Sequence, residues 1–186
     1  MRNRILMAAA EEINLRGFKF TMSDLAKRLS LSKTSLYEQF SSKNELIATL
    51  VKMAFADVRE QENNIYINET LSIAEKIIAV LRVSPKIFGH FNERTYDDLR
   101  NGYPEQWVLV DAFRQERLEC LFVLIRQGMK NNLIRPVNLL VVQQMVFGSV
   151  NQIFNYRFLN DSNITYADAV TAMADILVYG LLSSGN

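Results

Sequence analysis

Thr21-Met22-Ser23-Asp24-Leu25-Ala26-Lys27-Arg28-Leu29-Ser30-Leu31-Ser32-Lys33-Thr34-Ser35-Leu36-Tyr37-Glu38-Gln39-Phe40 is the stretch that decides the reading of this chain. Thr21 followed three residues on by Asp24 marks a helix start: the hydroxyl takes a backbone N–H, and the acid lies at the positive end of the helix dipole. A helix is predicted over 22–29. Ser30-Leu31-Ser32 then forms a three-residue turn, and Ser32 can cap a short third helix over 33–40. Leu25, Ala26, Leu29, Leu31, Leu36 and Phe40 fall on the inner side of the pair, with the small Ala26 where two helices would cross closely. Two short helices joined by such a turn match helix-turn-helix geometry. The outer side of the second helix offers Lys33, Thr34, Ser35, Tyr37 and Gln39, residue types that hydrogen-bond to phosphates and base edges in a major groove.

The flanking sequence extends the pattern. Ile5, Leu6, Ala9 and Ile13 give a first helix its apolar stripe, closed by Arg16-Gly17. Ser42-x-x-Glu45 reads as a second capping box, and it opens a longer fourth helix with apolar Leu46, Ile47, Leu50, Ala54 and Val58. Beyond residue 64 the periodicity predicts helices over 70–82, 85–92, 104–129, 138–159 and 166–182. Alternating strand patterns with hairpin turns are missing. The expected fold is all-α with about nine helices. A three-helix DNA-binding domain over residues 1–48 is joined by the longer fourth helix to a C-terminal helical bundle over residues 49–186.

Composition bounds what such a chain can do. With 49% hydrophobic and 22% charged residues in a chain of 186, a packed core is affordable and disorder is excluded. The net charge of +1 hides an asymmetry: residues 1–52 hold nine Lys/Arg against five Asp/Glu, so a basic head precedes a mildly acidic body. The single cysteine, Cys120, allows no internal disulfide, and the N-terminal residues lack the pattern of a secretory signal, so a cytoplasmic location is expected. The apolar stretch 137–159 is broken by Asn138, Gln143, Gln144, Asn151, Gln152, Asn155 and Arg157, which reads as a buried helix and no membrane span.

Residues 5–53 resemble the TetR family of transcription regulators. The match runs through Ile5-Leu6-x-x-Ala9, Arg16-Gly17-Phe18, Thr21-Met22-x-Asp24-Leu25-Ala26, Leu31-Ser32-Lys33-x-x-Leu36-Tyr37-x-x-Phe40 and Ser42-Lys43-x-Glu45-Leu46. The resemblance implies a homodimer that sets two third helices into successive major grooves of operator DNA, and a C-terminal domain that binds a small inducer. Carried over residue by residue, it assigns Thr21 to a phosphate and Lys33, Thr34 and Ser35 to bases or adjacent phosphates, while Tyr37 and Lys43 grip the backbone and Ser32 is counted among the DNA-binding residues. Ser30 and Thr34 depart from the family, which usually has glycine at both positions. A serine held in the left-handed region there costs roughly 1 kcal/mol.

The body is less legible. Residues 125–136 look like the family's connection between two long helices. Aromatic residues from Phe88 to Phe158 could surround a pocket for an apolar or amphipathic inducer, with Trp107, Phe122, Phe147 and Asn151 as its expected lining. Gly148, Ser149 and Val150 in one helix, with Ala167, Val170, Ala174, Leu177, Val178 and Leu181 in the next, suggest a self-complementary dimer surface on the last two helices. The lone His90 has no nucleophile or acid at a catalytic spacing, so an enzyme is not expected, and neither a metal nor a cofactor is. The resulting expectation is a repressor released from a palindromic operator by a small-molecule inducer. The alternative is a DNA-binding regulator of the same shape, without small-molecule response, controlled by a protein partner or by its abundance.

Overall fold

The computed structural model describes residues 1–86, 94–153 and 156–182. Among these lie ten α-helices: α1 (Arg2–Arg16), α2 (Met22–Arg28), α3 (Lys33–Gln39), α4 (Lys43–Tyr66), α5 (Ile73–Arg82), α6 (Arg94–Gly102), α7 (Pro104–Lys130), α8 (Leu139–Ile153), α9 (Tyr156–Ser162) and α10 (Tyr166–Leu181). The fold is all-α, and the one strand-like feature described is an isolated bridge between Ile134 and Leu182. No described helix is long and apolar enough to cross a membrane.

Local chemistry explains where the helices begin and end. Thr21 Oγ1 accepts from the Asp24 N–H at 3.1 Å while the Asp24 carboxylate accepts from the Thr21 N–H at 2.8 Å, so α2 opens on a complete capping box. Ser72 and Glu75 repeat the arrangement at α5, and Thr165 caps α10 through the Asp168 N–H. The start of α4 departs from the expected box in one half. Ser42 Oγ does accept from the Glu45 N–H at 3.1 Å, but the Glu45 carboxylate reaches past Ser42 to take the Ser41 N–H at 2.8 Å. Gly17 ends α1 at φ 66, a left-handed conformation in which a Cβ would run into the Asp98 carboxylate.

The chain forms two compact units, one of Met1–Arg59 with Pro85–Val110, the other of Glu60–Ser84 with Asp111–Asn186. In the first, Ile5, Ile13, Phe20, Leu25, Leu36, Phe40, Leu46 and Ile47 form a closely buried core, joined by Leu99 of α6. In the second, Ile77, Val80, Leu121, Phe122, Ile125, Val146 and Val178 build the core between α5, α7, α8 and α10. Two expectations need correction. The stretch 138–159, of which residues 154–155 lie outside the described residues, is not buried all round: Leu140, Val141 and Met145 of α8 are exposed. A helix not foreseen, α6, lies after the one expected over 85–92, most of which falls outside the described residues, as does His90.

Candidate DNA-binding interface

The turn between α2 and α3 is held by main-chain bonds from the Ser30 N–H to the Lys27 carbonyl at 3.1 Å and from the Leu31 N–H to the Ala26 carbonyl at 2.9 Å. Ser30 takes φ 54 to make them, the left-handed conformation expected there. Leu25 and Leu36 are fully buried and Ala26 nearly so, which pins the inner faces of both helices to the core. Glu12, itself buried, reinforces the pair from α1. Its carboxylate takes Arg16 Nε at 2.5 Å and Arg28 Nη1 at 2.6 Å, and these bonds, Arg16 first, hold it below the ordinary carboxylate range. Arg28 also pairs with Glu11. Several of the head's arginines are therefore engaged in holding helices together.

With the inner face fixed, the outer face of α3 is fixed too. Lys33, Thr34, Tyr37 and Glu38 are exposed, with Tyr37 47% accessible, and Ser35 is half-buried. Ser32 Oγ accepts from the Ser35 N–H at 3.0 Å and donates to Ser35 Oγ at 2.9 Å, so the Ser35 proton is left to point outward. Thr21 Oγ1 donates to Asp24 Oδ2 at 2.8 Å; meeting a phosphate requires that proton to turn away from the carboxylate. Lys19 and Lys27 are exposed on the same unit. Glu38 was missed in the sequence. At 3.6 residues per turn it falls opposite the buried Leu36 and Phe40 side, between Thr34 and Ser35, which the helical spacing alone would have revealed.

Lys43 behaves differently from the other candidate contacts. Its ammonium donates to the carbonyl oxygens of Phe18 and, at 2.5 Å, Phe20, and it lies 4.4 Å from the centre of the Phe20 ring. Burial lowers its pKa from the ordinary lysine value, against the pull of Asp24. It ties the start of α4 to the segment following α1.

The expected ligand-lining residues divide between the two units. Trp107 packs on the core of the first unit with the Arg100 guanidinium 4.6 Å from its ring centre, whereas the other three belong to the second unit. There Phe122 is core, Phe147 lies half-buried against the core, and the exposed Asn151 accepts from Arg114 Nη2 at 2.8 Å. Arg114 does line a cavity, of about 40 Å³, together with Glu62, Arg117 and Tyr166. A larger apolar groove of about 610 Å³ runs along α8, α9 and α10, with Met145, Gly148, Ser149, Ala172, Met173 and Ile176 among its walls. The α10 residues expected at a dimer surface are corrected in part: Val170, Ala174, Val178 and Leu181 are buried in this chain's own core, and Ala172, Ile176 and Tyr179 face outward instead. No group of three or more His, Cys, Asp or Glu suited to a metal occurs among the described residues.

Residues 5–50 match the model of the bacterial regulatory proteins of the tetR family. Over 181 residues, covering 97% of this chain and 95% of the relative, the sequence is 30% identical to YvaF, an uncharacterized HTH-type transcriptional regulator of Bacillus subtilis (strain 168). This chain belongs to the tetR family. The fold of this tetR-family protein is shared by a regulator from Marinobacter aquaeolei VT8, with a TM-score of 0.75 at 18% identity over 98% of this chain and 91% of that one. It is shared also by AibR, solved in complex with isovaleryl coenzyme A and operator DNA, with a TM-score of 0.63 at 21% identity over 95% of this chain and 97% of that one. The tetR-family protein is thus a DNA-binding transcriptional regulator built on an N-terminal helix-turn-helix and a C-terminal helical domain; it is not an enzyme.

Proposed function

We propose that this regulator is a repressor which holds a palindromic operator as a homodimer and leaves it when a small molecule enters the second unit. The observation that carries the DNA part is the α3 face: Leu36 is fully buried while Lys33, Thr34, Tyr37 and Glu38 stand in solvent. Functionally, residues 1–48 meet DNA and residues 49–186 serve the ligand and the second copy. Thr34, Ser35 and Glu38 read base edges; Thr21, Ser32, Lys33 and Tyr37 take phosphates; and Lys43 adds positive charge to the backbone contact while bracing the domain. The second copy docks on α8 and α10, where the groove and the outward Leu140, Val141, Met145, Ile176 and Tyr179 leave apolar surface that a two-fold partner would cover. This work belongs in the cytoplasm. That AibR was solved with both an acyl-coenzyme A and its operator is consistent with a small-molecule release step here.

A second reading has one observation in its favour. The cavity lined by Arg114 and Arg117, at about 40 Å³ against roughly 300–1,000 Å³ for ordinary ligand pockets, is by itself too small for a drug-sized inducer. A regulator controlled by a protein partner or by abundance needs no more than that.

Selecting bound fragments from random DNA tests the first reading at its base. A palindrome with half-sites about 34 Å apart is the expected result, each half-site meeting one α3. Failure of the purified protein to bind DNA at low ionic strength would refute it. Screening the protein–DNA complex with lipophilic, cationic and acyl compounds separates the two readings, since a compound that releases DNA supports the inducer and a blank screen supports the alternative.

A further inference from the structure

Thr34 and Glu38 stand one turn apart on the crest of α3, about 40° from each other around the helix and both exposed. Lys33 and Tyr37 fall on one flank of that crest and Ser35 and Gln39 on the other, while Leu36 and Phe40 point into the core. When a helix lies in a major groove, its flanks meet the phosphate walls and its crest meets the base edges. Glu38 therefore puts a negative charge where the bases are, and the described residues offer that charge no cation. It lies in the last turn of α3, where the helix dipole disfavours an acid. The residues three and four positions away are Thr34, Ser35, Ser41 and Ser42, all of them neutral. Arg2, the arginine that reaches this end of α3, is engaged by the Gln39 carbonyl, by Glu45 at 3.2 Å and by the Phe40 ring, 4.0 Å from its centre.

Duplex DNA is a polyanion, so a carboxylate entering the groove is repelled unless a base donates to it. Guanine offers N7 and O6 and thymine offers O4, all acceptors, and each adds to the repulsion. Adenine does donate through N6, but that group stands between its own N7 and the O4 of its partner thymine, with an acceptor on both sides. Cytosine N4 has an acceptor on one side only, the O6 of its guanine. It is the base edge at which a carboxylate gains a charge-assisted hydrogen bond against the least repulsion. We infer that Glu38 selects a cytosine at one fixed position of each operator half-site by accepting from its N4 amino group. This inference rests on α3 being the helix that enters the groove. The same charge disfavours the other three bases and lowers affinity for DNA at large, so the residue contributes discrimination rather than strength.

The test is selection of bound fragments from random DNA by the full-length protein and by its Glu38→Gln and Glu38→Ala variants, with circular dichroism to check that both fold. The unaltered protein should select cytosine at one position of each half-site. Glu38→Gln should change that position alone to adenine, because an amide both donates to N7 and accepts from N6, and Glu38→Ala should leave it unspecified. Fluorescence anisotropy on the selected operator completes a double-mutant cycle. Replacing the C·G pair by A·T in both half-sites should weaken the unaltered protein about tenfold per half-site, and Glu38→Ala less than about twofold. A selected sequence that both variants leave unchanged overturns the inference, as does a base other than cytosine at the position that Glu38→Ala relaxes. Equal losses from the base-pair replacement in the unaltered protein and in Glu38→Ala overturn it too. In each of these cases a palindrome is still selected, and the groove reading of α3 stands. An unaltered protein that selects no sequence removes that reading, and this inference with it.

Discussion

The outer face of α3 and the outer face of α8 and α10 are both open to solvent, yet one is polar and the other apolar. On α3, Lys33, Thr34 and Glu38 remain in water without cost, so the head has no need of a partner until DNA displaces that water. On α10, Ile176 is 75% and Tyr179 80% exposed, and each forfeits about 25 cal/mol for every Å² of apolar surface left uncovered. On the function proposed above, the first face exchanges partners and the second keeps one. A regulator that must let go of DNA while staying assembled needs that division of labour.

The comparison breaks most visibly at the apolar face. Ile176→Glu combined with Met145→Glu sets like charges against their own copies across a two-fold axis. Light scattering should then find a monomer, and affinity for a full palindrome should fall about 10²–10⁴-fold as the linked second contact is lost. Binding to an isolated half-site should stay close to its former value. A double variant that remains dimeric would move the interface elsewhere.

The head can be tested from within at Glu12, which is 3% exposed and serves Arg16 and Arg28 together. Glu12→Gln keeps the volume and removes the charge, and urea unfolding should show a loss of about 1–2 kcal/mol at pH 7, both arginines being partly solvated. The folded carboxyl is held below its ordinary 4.5, so its contribution is full above that value and fades as pH falls through the folded one. The gap between the unaltered protein and Glu12→Gln should close on acidification. A gap that persisted in acid would mean the carboxylate's charge is not what holds α1 to α2.

These two regions also show what the sequence could reveal. The head was legible because its information is local: Thr21 with Asp24 and Ser32 with Ser35 fix helix starts within four residues, and the turn follows from the chemistry between them. The body was not, because α10 is apolar nearly all round, so periodicity could not tell Val170, Ala174 and Val178, which face the core, from Ala172, Ile176 and Tyr179, which do not. Helix α6 escaped notice for the opposite reason. Its sequence RTYDDLRNG carries little apolar stripe, and Leu99 finds its place only through packing against residues distant in the chain. Trp107 was grouped with pocket residues on composition alone, and composition carries no address.

The polar face is sharpened by contrasting its two candidate lysines. Lys33→Ala should reduce the salt slope of DNA binding by about one, the signature of a lost phosphate contact, with stability changed by less than about 0.5 kcal/mol. Lys43→Ala should cost about 1 kcal/mol of stability, because its ammonium holds the Phe18 and Phe20 carbonyls, and should change the slope less. A full slope change without loss of stability at Lys43 would mean that this tie opens when DNA arrives.

The smallest effect belongs to the turn that aims α3. Ser30 holds φ 54 although its side chain disfavours that region by roughly 1 kcal/mol, a strain that Ser30→Gly removes. Glycine also widens the unfolded ensemble, which takes back about half of the gain. The two main-chain bonds of the turn, Ser30 to Lys27 and Leu31 to Ala26, use no side-chain atom and survive the change. Urea unfolding should therefore find Ser30→Gly more stable by about 0.5 kcal/mol, with an unaltered dependence on denaturant and unaltered operator affinity. Should glycine destabilise the protein, or weaken DNA binding at equal stability, then stiffness of this turn, and not merely its shape, is what keeps the polar face aligned with the groove.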